Sequence, residues 1–422
     1  MTRPFLISTF FYSIITFVFV VFDESIALSD GFQPGPLMLM GGNERFENRL
    51  VWNEFVRLAG GDGKRVAIFA TATADPHLFS ELWSKHIRSI GLLPDAIPLS
   101  PLLESPSYRD VCRDPTWIER VQSADAILLL GGWQSRYREV LMDENGNDTP
   151  MLNAIRTVHQ QGKLVAGTSA GTAVMSRVMF VEGKSPLRML HEGVRWSQEI
   201  DHGFGLMPDD WFVDQHFLAR GRLARALVAM QARGFPFGVG IDEDTALIVA
   251  ANGTSSVVGY GGVVLIDAGK AVRDESEKRF NWKGVRLSYL SHGDQFNLHT
   301  RQMTVGPSKS NEFKTDLVDF SKEPQESYVQ YYNDIFMRSS FQKVLFDLVN
   351  NAPGKVVGYC FDADFAIPPR KPEGFEMHLN VASDSVGWES PMATGDMVSV
   401  LNIVAEVRPL QVSAPQIQRA LP

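Results

Sequence analysis

One serine, Ser169, stands between small residues in the stretch AGTSAGTAVMS at positions 166–176. An apolar run precedes it and a segment of helical character follows. A Gly-x-Ser-x-Gly turn of this kind exposes the serine hydroxyl on a tight bend, where small neighbours let a substrate carbonyl approach. The backbone N–H of the next residue can then stabilise an oxyanion. The alternative is a glycine-rich corner without chemistry, because glycine and serine are common turn residues.

A nucleophilic serine needs a general base, and the base needs an acid that orients it. Position alone does not choose among the downstream histidines, which are His191, His202, His216, His292, His299 and His378. His216 is favoured because it follows Asp214 and Gln215 at a strand-to-helix junction in FVDQHFLARGRLARAL. Three arginines come next on this segment: Arg220, Arg222 and Arg225. Such a density of polar groups is hard to explain as packing; the alternative is a helix N-terminus with a solvated basic face.

Three adjacent acids, Asp242, Glu243 and Asp244, lie between two apolar runs in GVGIDEDTALIV. Neighbouring carboxylates repel one another unless a cation or a base uses one of them. The functional interpretation is that Glu243 orients His216 and stabilises its imidazolium form. The alternative is a solvated turn.

The chain order serine, histidine, acid differs from that of the α/β-hydrolases, in which the acid precedes the histidine. An esterase of that type would have to combine Asp242 or Asp267 with His292 or His299. That choice leaves the DQHF stretch and the arginines unexplained, so the α/β-hydrolase interpretation is the weaker one.

Four motifs occur in the order GGWQ, AGTSAGTAVMS, DQHFLARGRLAR and GVGIDEDTALIV. Over residues 37–267 they resemble the cyanophycinase branch of the S51 serine peptidases, which are relatives of the aspartyl dipeptidases. The resemblance implies a doubly wound sheet like that of the class I glutamine amidotransferases, and a triad of Ser169, His216 and Glu243. It also implies hydrolysis of cyanophycin, multi-L-arginyl-poly-L-aspartate, to β-Asp-Arg dipeptides through an acyl-enzyme, with no metal or organic cofactor.

The same resemblance assigns further residues. Gln134 would lie in the active-site cleft, and the backbone N–H groups of Gly132 and Ala170 are candidate oxyanion donors. The substrate pocket would be formed by Asp214, Gln215, Arg220, Arg222 and Arg225. Arginines clamp carboxylates at two points, and an acid can bind a guanidinium, which suits a β-linked Asp-Arg polymer.

Two positions depart from the family pattern. Trp133 stands where relatives more often carry asparagine, and Thr172 replaces a small alanine. A tryptophan beside the cleft leaves the exact polymer specificity open, so other Asp-containing or isoaspartyl peptides are alternative substrates. An inactive exported binding protein on the same fold is the alternative from another functional class.

Short apolar runs alternate with segments of helical period before residue 267. The predicted strands are LMLM at 37–40, RVAIFAT at 65–71, DAILLL at 125–130, KLVAG at 163–167 and FGVGI at 237–241. Strands separated by helices predict βαβ units, and hence an α/β fold with a doubly wound, mostly parallel, flavodoxin-like sheet. Ligands bind at the carboxyl ends of such strands, where the glycine-rich turns GGN, GGWQ and GTSAG fall.

Residues 28–270 are predicted to form the S51-like peptidase domain, and residues 271–422 a smaller α+β or β-rich C-terminal appendage. TALIVA at 245–250 and SSVVGYGGVVLIDAG at 255–269 predict hairpin strands that close the first domain. Apolar residues at helical spacing predict an amphipathic helix from Glu326 to Val349. The appendage could anchor the enzyme to an insoluble granule, cap the site or mediate oligomerisation, for instance as a homodimer.

The first residues combine Arg3, an 18-residue apolar stretch from Phe5 to Phe22, and the small residues Ser25 and Ala27. This pattern predicts a signal peptide at residues 1–27 and export to the periplasm or the exterior. The apolar stretch approaches the length of a membrane-spanning helix, so an uncleaved anchor is the alternative.

The formal net charge of −9 lacks the basic excess of a nucleic-acid-binding protein, so the expected partner is a peptide or polypeptide substrate and not nucleic acid. Cys112 and Cys360 have no spaced partners of a zinc site and are predicted to be isolated buried thiols, although a bridge is not excluded. Asp362 and Asp364 lack the glycine turn and distal glutamate of a calcium loop, so no metal is expected.

Overall fold

The structure is a computed structural model that describes residues 33–309, 329–351, 355–361, 373–390 and 397–411. The helices in these ranges are α1 Arg49–Leu58, α2 Pro76–Ser89, α3 Tyr108–Val111, α4 Pro115–Gln122, α5 Gln134–Leu141, α6 Pro150–Gln160, α7 Ala170–Ala173, α8 Pro186–Glu192, α9 Leu223–Arg233 and α10 Ser340–Asn351.

The strands are β1 Leu37–Met40, β2 Arg65–Phe69, β3 Leu93–Ile97, β4 Ala126–Leu129, β5 Leu164–Thr168, β6 Val178–Phe180, β7 Ile200–His202, β8 Trp211–Gln215, β9 Phe237–Ile241, β10 Thr245–Val249, β11 Thr254–Gly259, β12 Gly262–Asp267, β13 Trp282–Ser291, β14 Gln295–Asn297, β15 Met303–Thr304, β16 Val329–Tyr332, β17 Lys355–Phe361, β18 Glu373–Asn380, β19 Val386–Ser390 and β20 Met397–Gln411.

The first sheet has the strand order β15-β14-β11-β10-β1-β5-β4-β2-β3. The strands from β1 to β3 in this order pair in parallel, whereas β10, β11, β14 and β15 pair antiparallel beyond β1. The predicted α/β class is confirmed. The prediction of a mostly parallel sheet is corrected: the sheet is mixed, because antiparallel hairpins extend it on the side of β1.

Helices cover both faces of the parallel half. In β1, Met38 and Met40 pack with Trp52 of α1 and Trp83 of α2. Leu37 and Leu39 point to the other face, where residues of α4, α5 and α6 pack. Burial on both faces explains why these strands read as continuous apolar runs without a polar alternation.

The second sheet has the order β16-β17-β18-β20-β13-β12-β9-β8. β8 and β9 pair in parallel, and β12 joins β9 on one side and β13 on the other. The predicted boundary after residue 270 therefore falls between two paired strands of one sheet. That residues 271–422 form a separate domain stays a prediction.

Two local predictions are corrected. The run at 255–269 is two strands, with β11 in the first sheet and β12 in the second. The chain turns between them at Gly259. Its φ of 135° is a conformation that favours glycine, and a Cβ at this position would lie 2.4 Å from the Asp244 carbonyl oxygen. The helix predicted to start at Glu326 is observed only as α10, which starts at Ser340, and β16 precedes it. Asp334 and Ser339 have positive φ angles, which a helix does not allow.

Residues 1–32, which include the predicted leader, and Asp362 and Asp364 lie outside the described residues. None of the described helices combines the length and the apolar character needed to cross a membrane. Cys112 and Cys360 are buried free thiols. Burial raises the pKa of Cys112 to about 11 and that of Cys360 to about 12, which keeps both protonated and unreactive at neutral pH.

A fully buried ion pair joins the loop after β13 to β20. Lys309 Nζ lies 2.7 Å from Asp294 Oδ1 and 2.9 Å from the hydroxyl of Ser399 in β20, and neither charged side chain has exposed surface. Asp294 also accepts from the backbone N–H groups of Ser291 and Gly306. Removing only the cation leaves a buried carboxylate without its counter-charge.

We therefore expect Lys309→Met to lower the free energy of unfolding by about 3 kcal/mol or more. Urea unfolding measures this change. The control is Lys85→Met, which removes an ion pair to Glu81 on the surface of α2 and is expected to cost about 1 kcal/mol at most. Equal effects of the two substitutions would contradict the assignment of the buried pair as a structural link.

Candidate active site

Ser169 occupies the bend between β5 and α7. Its φ of 52° and ψ of −112° are unusual for a residue other than glycine. The flanking glycines permit the bend: a Cβ on Gly167 would lie 2.2 Å from the Gly171 carbonyl oxygen, and one on Gly171 would lie 2.1 Å from that of Leu129. The serine is half-buried, with its hydroxyl held above the carboxyl end of the parallel strands.

The end of β1 supports this bend. The backbone N–H of Ser169 donates to the Met40 carbonyl at 3.1 Å. The hydroxyl of Thr172 lies 2.6 Å from the same carbonyl oxygen and 2.7 Å from that of Gly167. Thr172 thus adds a donor that an alanine would lack, which gives this departure from the family pattern a structural role.

The structure brings together the three side chains predicted to form the triad. His216 Nε2 lies 2.8 Å from Ser169 Oγ, and His216 Nδ1 lies 2.6 Å from Glu243 Oε1. His216 follows β8 and Glu243 follows β9, which are parallel neighbours in the second sheet. Ser169 follows β5 of the first sheet, so the carboxyl ends of strands from both sheets meet here. One proton on Nδ1, donated to Glu243, leaves Nε2 free to accept the serine proton.

Sequence reasoning missed the glycines that make room for this arrangement. A Cβ on Gly42 would lie 2.2 Å from Cε1 of His216, and one on Gly131 would lie 3.0 Å from Cβ of Ser169. The backbone N–H of His216, a residue with φ of 46°, donates to the Gly41 carbonyl at 2.8 Å. The signal was present in the GGN and GGWQ turns, which directly follow strands β1 and β4.

Each of the three adjacent acids has its own partner. Asp242 is buried and accepts from the backbone N–H of Ala219 at 2.9 Å. Asp244 accepts from the side chains of Arg45 and Asn48, both at 2.7 Å. Glu243 is left for His216, so the expected mutual repulsion is relieved by partners on two segments, the loop after β8 and the segment just before α1.

The charges around the triad favour a neutral histidine and an ionised glutamate. Burial lowers the pKa of His216 well below its usual value of 6.5, and the positive charge of Arg220 lowers it further. Partial burial works to raise the pKa of Glu243, but hydrogen bonds from Asn43 and His216 outweigh it and hold this pKa below the usual value. A neutral imidazole beside a carboxylate is the state that a general base requires.

The two predicted oxyanion donors lie on the two turns that meet at Ser169. Ala170 begins α7, and Gly132 lies next to Gly131, whose position against Ser169 is described above. Within the described part of the chain, the backbone N–H groups of Gly132 and Ala170 have no acceptor. Gly132 has a φ of 137°, and a Cβ there would lie 2.0 Å from the Ala72 carbonyl oxygen. Their action on an oxyanion stays a prediction.

A cavity of about 320 Å³ lies beside the triad. Its lining residues are Gln134, Val181, Gly183, Lys184, Pro186, Arg220, Gly221, Arg222 and Arg225. Four of them are cationic and none is acidic. Arg220 connects the cavity to the triad, because its Nε lies 3.7 Å from Glu243 Oε1. Lys184 is paired with Glu192 and Glu199, and Arg225 with Asp214. The cavity therefore offers mainly Arg220 and Arg222 to an anionic group beside the predicted triad.

Asp214 and Gln215 hold the arginines of this cavity and do not line it. Both oxygens of the buried Asp214 accept from Arg225, at 2.6 Å from Nε and 2.5 Å from Nη2. Arg222 donates to the Gln215 carbonyl at 2.6 Å. Burial and the nearby Arg225 charge lower the pKa of Arg222 to about 9, so it still carries its proton at neutral pH. Direct contact of Asp214 or Gln215 with substrate stays a prediction.

Trp133 is the most open of the large apolar side chains near the site, with 69% of its surface exposed. It lies between Gly132 and the cavity residue Gln134, and the guanidinium of Arg136 stacks over its ring at 5.0 Å. The indole is therefore an exposed apolar surface next to the cavity residue Gln134.

Comparison with known proteins gives matches to peptidases. The sequence profile described as "Peptidase family S51" matches residues 37–257. The cyanophycinase of Synechococcus elongatus is 33% identical over 283 residues, which cover 64% of this chain and 81% of the relative. The cyanophycinase of Geminocystis herdmanii is 29% identical, covering 64% and 96%. The crystal structure of a peptidase from an acI-B1 Actinobacterium is 20% identical, with a TM-score of 0.46, covering 63% and 97%.

The charge around His216 generates a prediction about pH. With His216 as the predicted general base, we expect activity to require the neutral imidazole and to be lost as the pH falls through the pKa of His216. We expect the acidic limb of kcat/KM, which reports the free enzyme, to lie below pH 6.5. Arg220→Gln removes a charge that disfavours the imidazolium, so the limb should move to higher pH.

Arg57→Gln is the matched control for this experiment, because Arg57 pairs with Glu54 on the surface of α1. It should leave the limb unchanged. The position of the limb is the readout, since Arg220 also lines the cavity and its loss can lower kcat/KM at every pH. A limb that stays in place or moves to lower pH in Arg220→Gln would rule out this control of the base.

Proposed function

Because this chain belongs to peptidase family S51 and is a serine peptidase, we propose that it hydrolyses cyanophycin to β-Asp-Arg dipeptides through a Ser169–His216–Glu243 triad. The observation that carries the proposal is the continuous hydrogen-bonded line of these three side chains beside a cation-lined cavity. The relatives named cyanophycinase support the same substrate class.

In the proposed reaction, Ser169 Oγ attacks the carbonyl carbon of the scissile amide while His216 Nε2 takes its proton across 2.8 Å. The imidazolium that forms is stabilised by Glu243 at 2.6 Å from Nδ1. His216 then passes the proton to the leaving amine, and an acyl-enzyme remains on Ser169. Water, deprotonated by His216, releases the acyl group. The N–H groups of Gly132 and Ala170 are the proposed donors to the oxyanion.

The cavity chemistry supports a substrate rich in carboxylates. Each repeat of multi-L-arginyl-poly-L-aspartate carries the free carboxylate of its arginine. Arg222 and Arg220 can bind a carboxylate at two points, and both face the cavity next to the triad. Arg225 is already neutralised by Asp214, so it contributes shape more than net charge.

Two alternative functions predict different observations. A peptidase for other Asp-containing or isoaspartyl peptides would use the same triad and differ only in substrate preference. The exposed Trp133, which departs from the family pattern, is the side chain that we expect to change this preference. An inactive binding protein would be expected to have triad side chains beyond hydrogen-bond reach. The distances of 2.8 and 2.6 Å argue against it.

The proposal includes export. Residues 1–27 carry the sequence features of a signal peptide, although they lie outside the described residues. Sequencing the N-terminus of the protein recovered from its natural host distinguishes a cleaved signal, with residue 28 first, from a retained anchor.

Substrate assays test the function. We expect the wild type to release β-Asp-Arg from cyanophycin faster than it cleaves short α- or β-aspartyl peptides. Ser169→Ala should lower kcat by about four powers of ten or more, because members of a triad act as a unit. Product analysis by mass spectrometry provides the measurement.

Ser176→Ala is the matched control within the same stretch, since Ser176 donates to the Trp211 carbonyl and lies outside the triad. It should retain turnover. Covalent labelling of Ser169 by a serine-directed phosphonate gives a second readout that needs no natural substrate. Absence of hydrolysis together with absence of labelling in the wild type would refute the enzyme hypothesis. Preference for short isoaspartyl peptides would favour the alternative substrate.

A further inference from the structure

Glu44 is a buried carboxyl group that the proposed reaction does not use. It lies two residues after Gly42, between β1 and α1, and only 8% of its surface is exposed. A buried carboxyl is costly unless it is well hydrogen-bonded, so its partners indicate its role.

Both oxygens of Glu44 bind residues that touch the triad. Oε1 accepts from the backbone N–H of Gly42 at 2.5 Å. Oε2 lies 2.5 Å from the hydroxyl of Thr168, which donates to it. Thr168 is the last residue of β5 and directly precedes Ser169.

Gly42 is in turn held against the base. It packs on the His216 imidazole so closely that no side chain fits between them, because a Cβ on Gly42 would lie 2.2 Å from Cε1 of the ring. Its carbonyl accepts from the backbone N–H of Asp244 at 3.0 Å, one residue after Glu243. Gly42 therefore contacts the segments that carry the base and the acid, and Glu44 ties it to the segment that carries the nucleophile.

We propose that Glu44 is a positioning residue that fixes Ser169 relative to His216 by clamping Thr168 to Gly42. The inference rests on the proposed function, in which Ser169 is the nucleophile. Glu44 does not touch the reacting atoms; it acts through the two residues that it binds. A shift of about 1 Å between nucleophile and base costs on the order of a hundredfold in rate, so a clamp at this place has a large effect.

The ionisation of Glu44 adds a signature that a purely structural residue would lack. Burial raises its pKa to about 7, while the hydrogen bonds from Thr168 and Gly42 work in the opposite direction. Asp244 is the charged group that raises this pKa further, and Asp244 is itself paired with Arg45. The ionised carboxylate accepts from both partners. The protonated form donates to the Thr168 hydroxyl in place of accepting from it, so the clamp loses its charge-assisted hydrogen bond and is weaker.

The pH dependence of stability has the opposite sign. The pKa of Glu44 is higher in the folded protein than the usual 4.5, so the folded state binds the proton more tightly than the unfolded state does. Stability from this group is therefore greatest below pH 4.5 and is lost as the pH rises towards 7. Ionisation of Glu44 between pH 4.5 and about 7 is therefore expected to strengthen the clamp and, over the same range, to lower the stability of the fold.

The first test compares two substitutions of Thr168. Thr168→Val keeps the shape but removes the hydroxyl, whereas Thr168→Ser keeps the hydroxyl. We expect Thr168→Val to lower both kcat and the rate of phosphonate labelling of Ser169 by about a hundredfold, with KM changed by about twofold or less. Thr168→Ser should stay within about tenfold of the wild type. Thermal unfolding of each variant checks that it is folded.

The second test changes the carboxyl itself. In Glu44→Gln the amide oxygen can accept from Gly42 and the amide nitrogen can donate to Thr168, which is the pattern of the protonated wild type. Its activity should therefore stay at the level of the wild type with Glu44 protonated. The variant cannot ionise at this position, so the inflection near pH 7 expected of the wild type, in stability and in activity above the limb set by His216, should be absent. Glu44→Ala should lose kcat as Thr168→Val does.

The outcomes separate this inference from the proposed function. Equal losses in Thr168→Val and Thr168→Ser, or normal labelling in both Thr168→Val and Glu44→Ala, would overturn the clamp while Ser169→Ala remains inactive. Turnover or labelling that persists in Ser169→Ala would instead overturn the proposed function. If Glu44→Ala fails to fold, the Thr168 pair still decides the question.

Discussion

The close approach of Gly42 to the His216 imidazole is the constraint on which the site depends. It requires glycine at position 42, just after β1. The backbone N–H of His216 also donates to the carbonyl of the neighbouring Gly41. At the start of the same turn, the Met40 carbonyl accepts a hydrogen bond from the backbone N–H of Ser169. A single short turn therefore sets the positions of both Ser169 and His216, the proposed nucleophile and base, and any widening of it would move the two apart.

The two sheets explain why the turn can do this. β1 and β5 are parallel neighbours, so their carboxyl ends lie at the same edge. β8 and β9 are parallel neighbours in the second sheet, and His216 and Glu243 follow their carboxyl ends. The site forms where these two edges face each other, and β10, which follows Asp244, returns the chain to β1 of the first sheet. The general rule that ligands bind at the carboxyl ends of parallel strands thus applies twice.

Local pattern was enough to predict much of this arrangement. LMLM and FGVGI are strands with the predicted bounds, and the serine, histidine and glutamate lie in hydrogen-bond contact. The pairing of β12 with β13 and of β13 with β20 was not predictable, because apolar periodicity indicates a strand but does not name its partner. Glu44 was missed for a related reason. Its burial depends on Thr168, which is distant in sequence. From the sequence alone, a glutamate after a glycine-rich turn is expected to be exposed to solvent.

The cations of the cleft impose a conflict that the acids resolve. Positive charge favours an anionic substrate, yet it disfavours the imidazolium that His216 must become during the reaction. Asp214 offsets the charge of Arg225 through two hydrogen bonds and also lies 3.6 Å from Arg222, so Arg220 and the remaining charge of Arg222 are available to a ligand. Glu243 lies between His216 and Arg220, so the carboxylate that orients the base also shields it from the nearest cation. In the proposed reaction, a carboxylate at this position therefore orients the base and offsets the charge of Arg220.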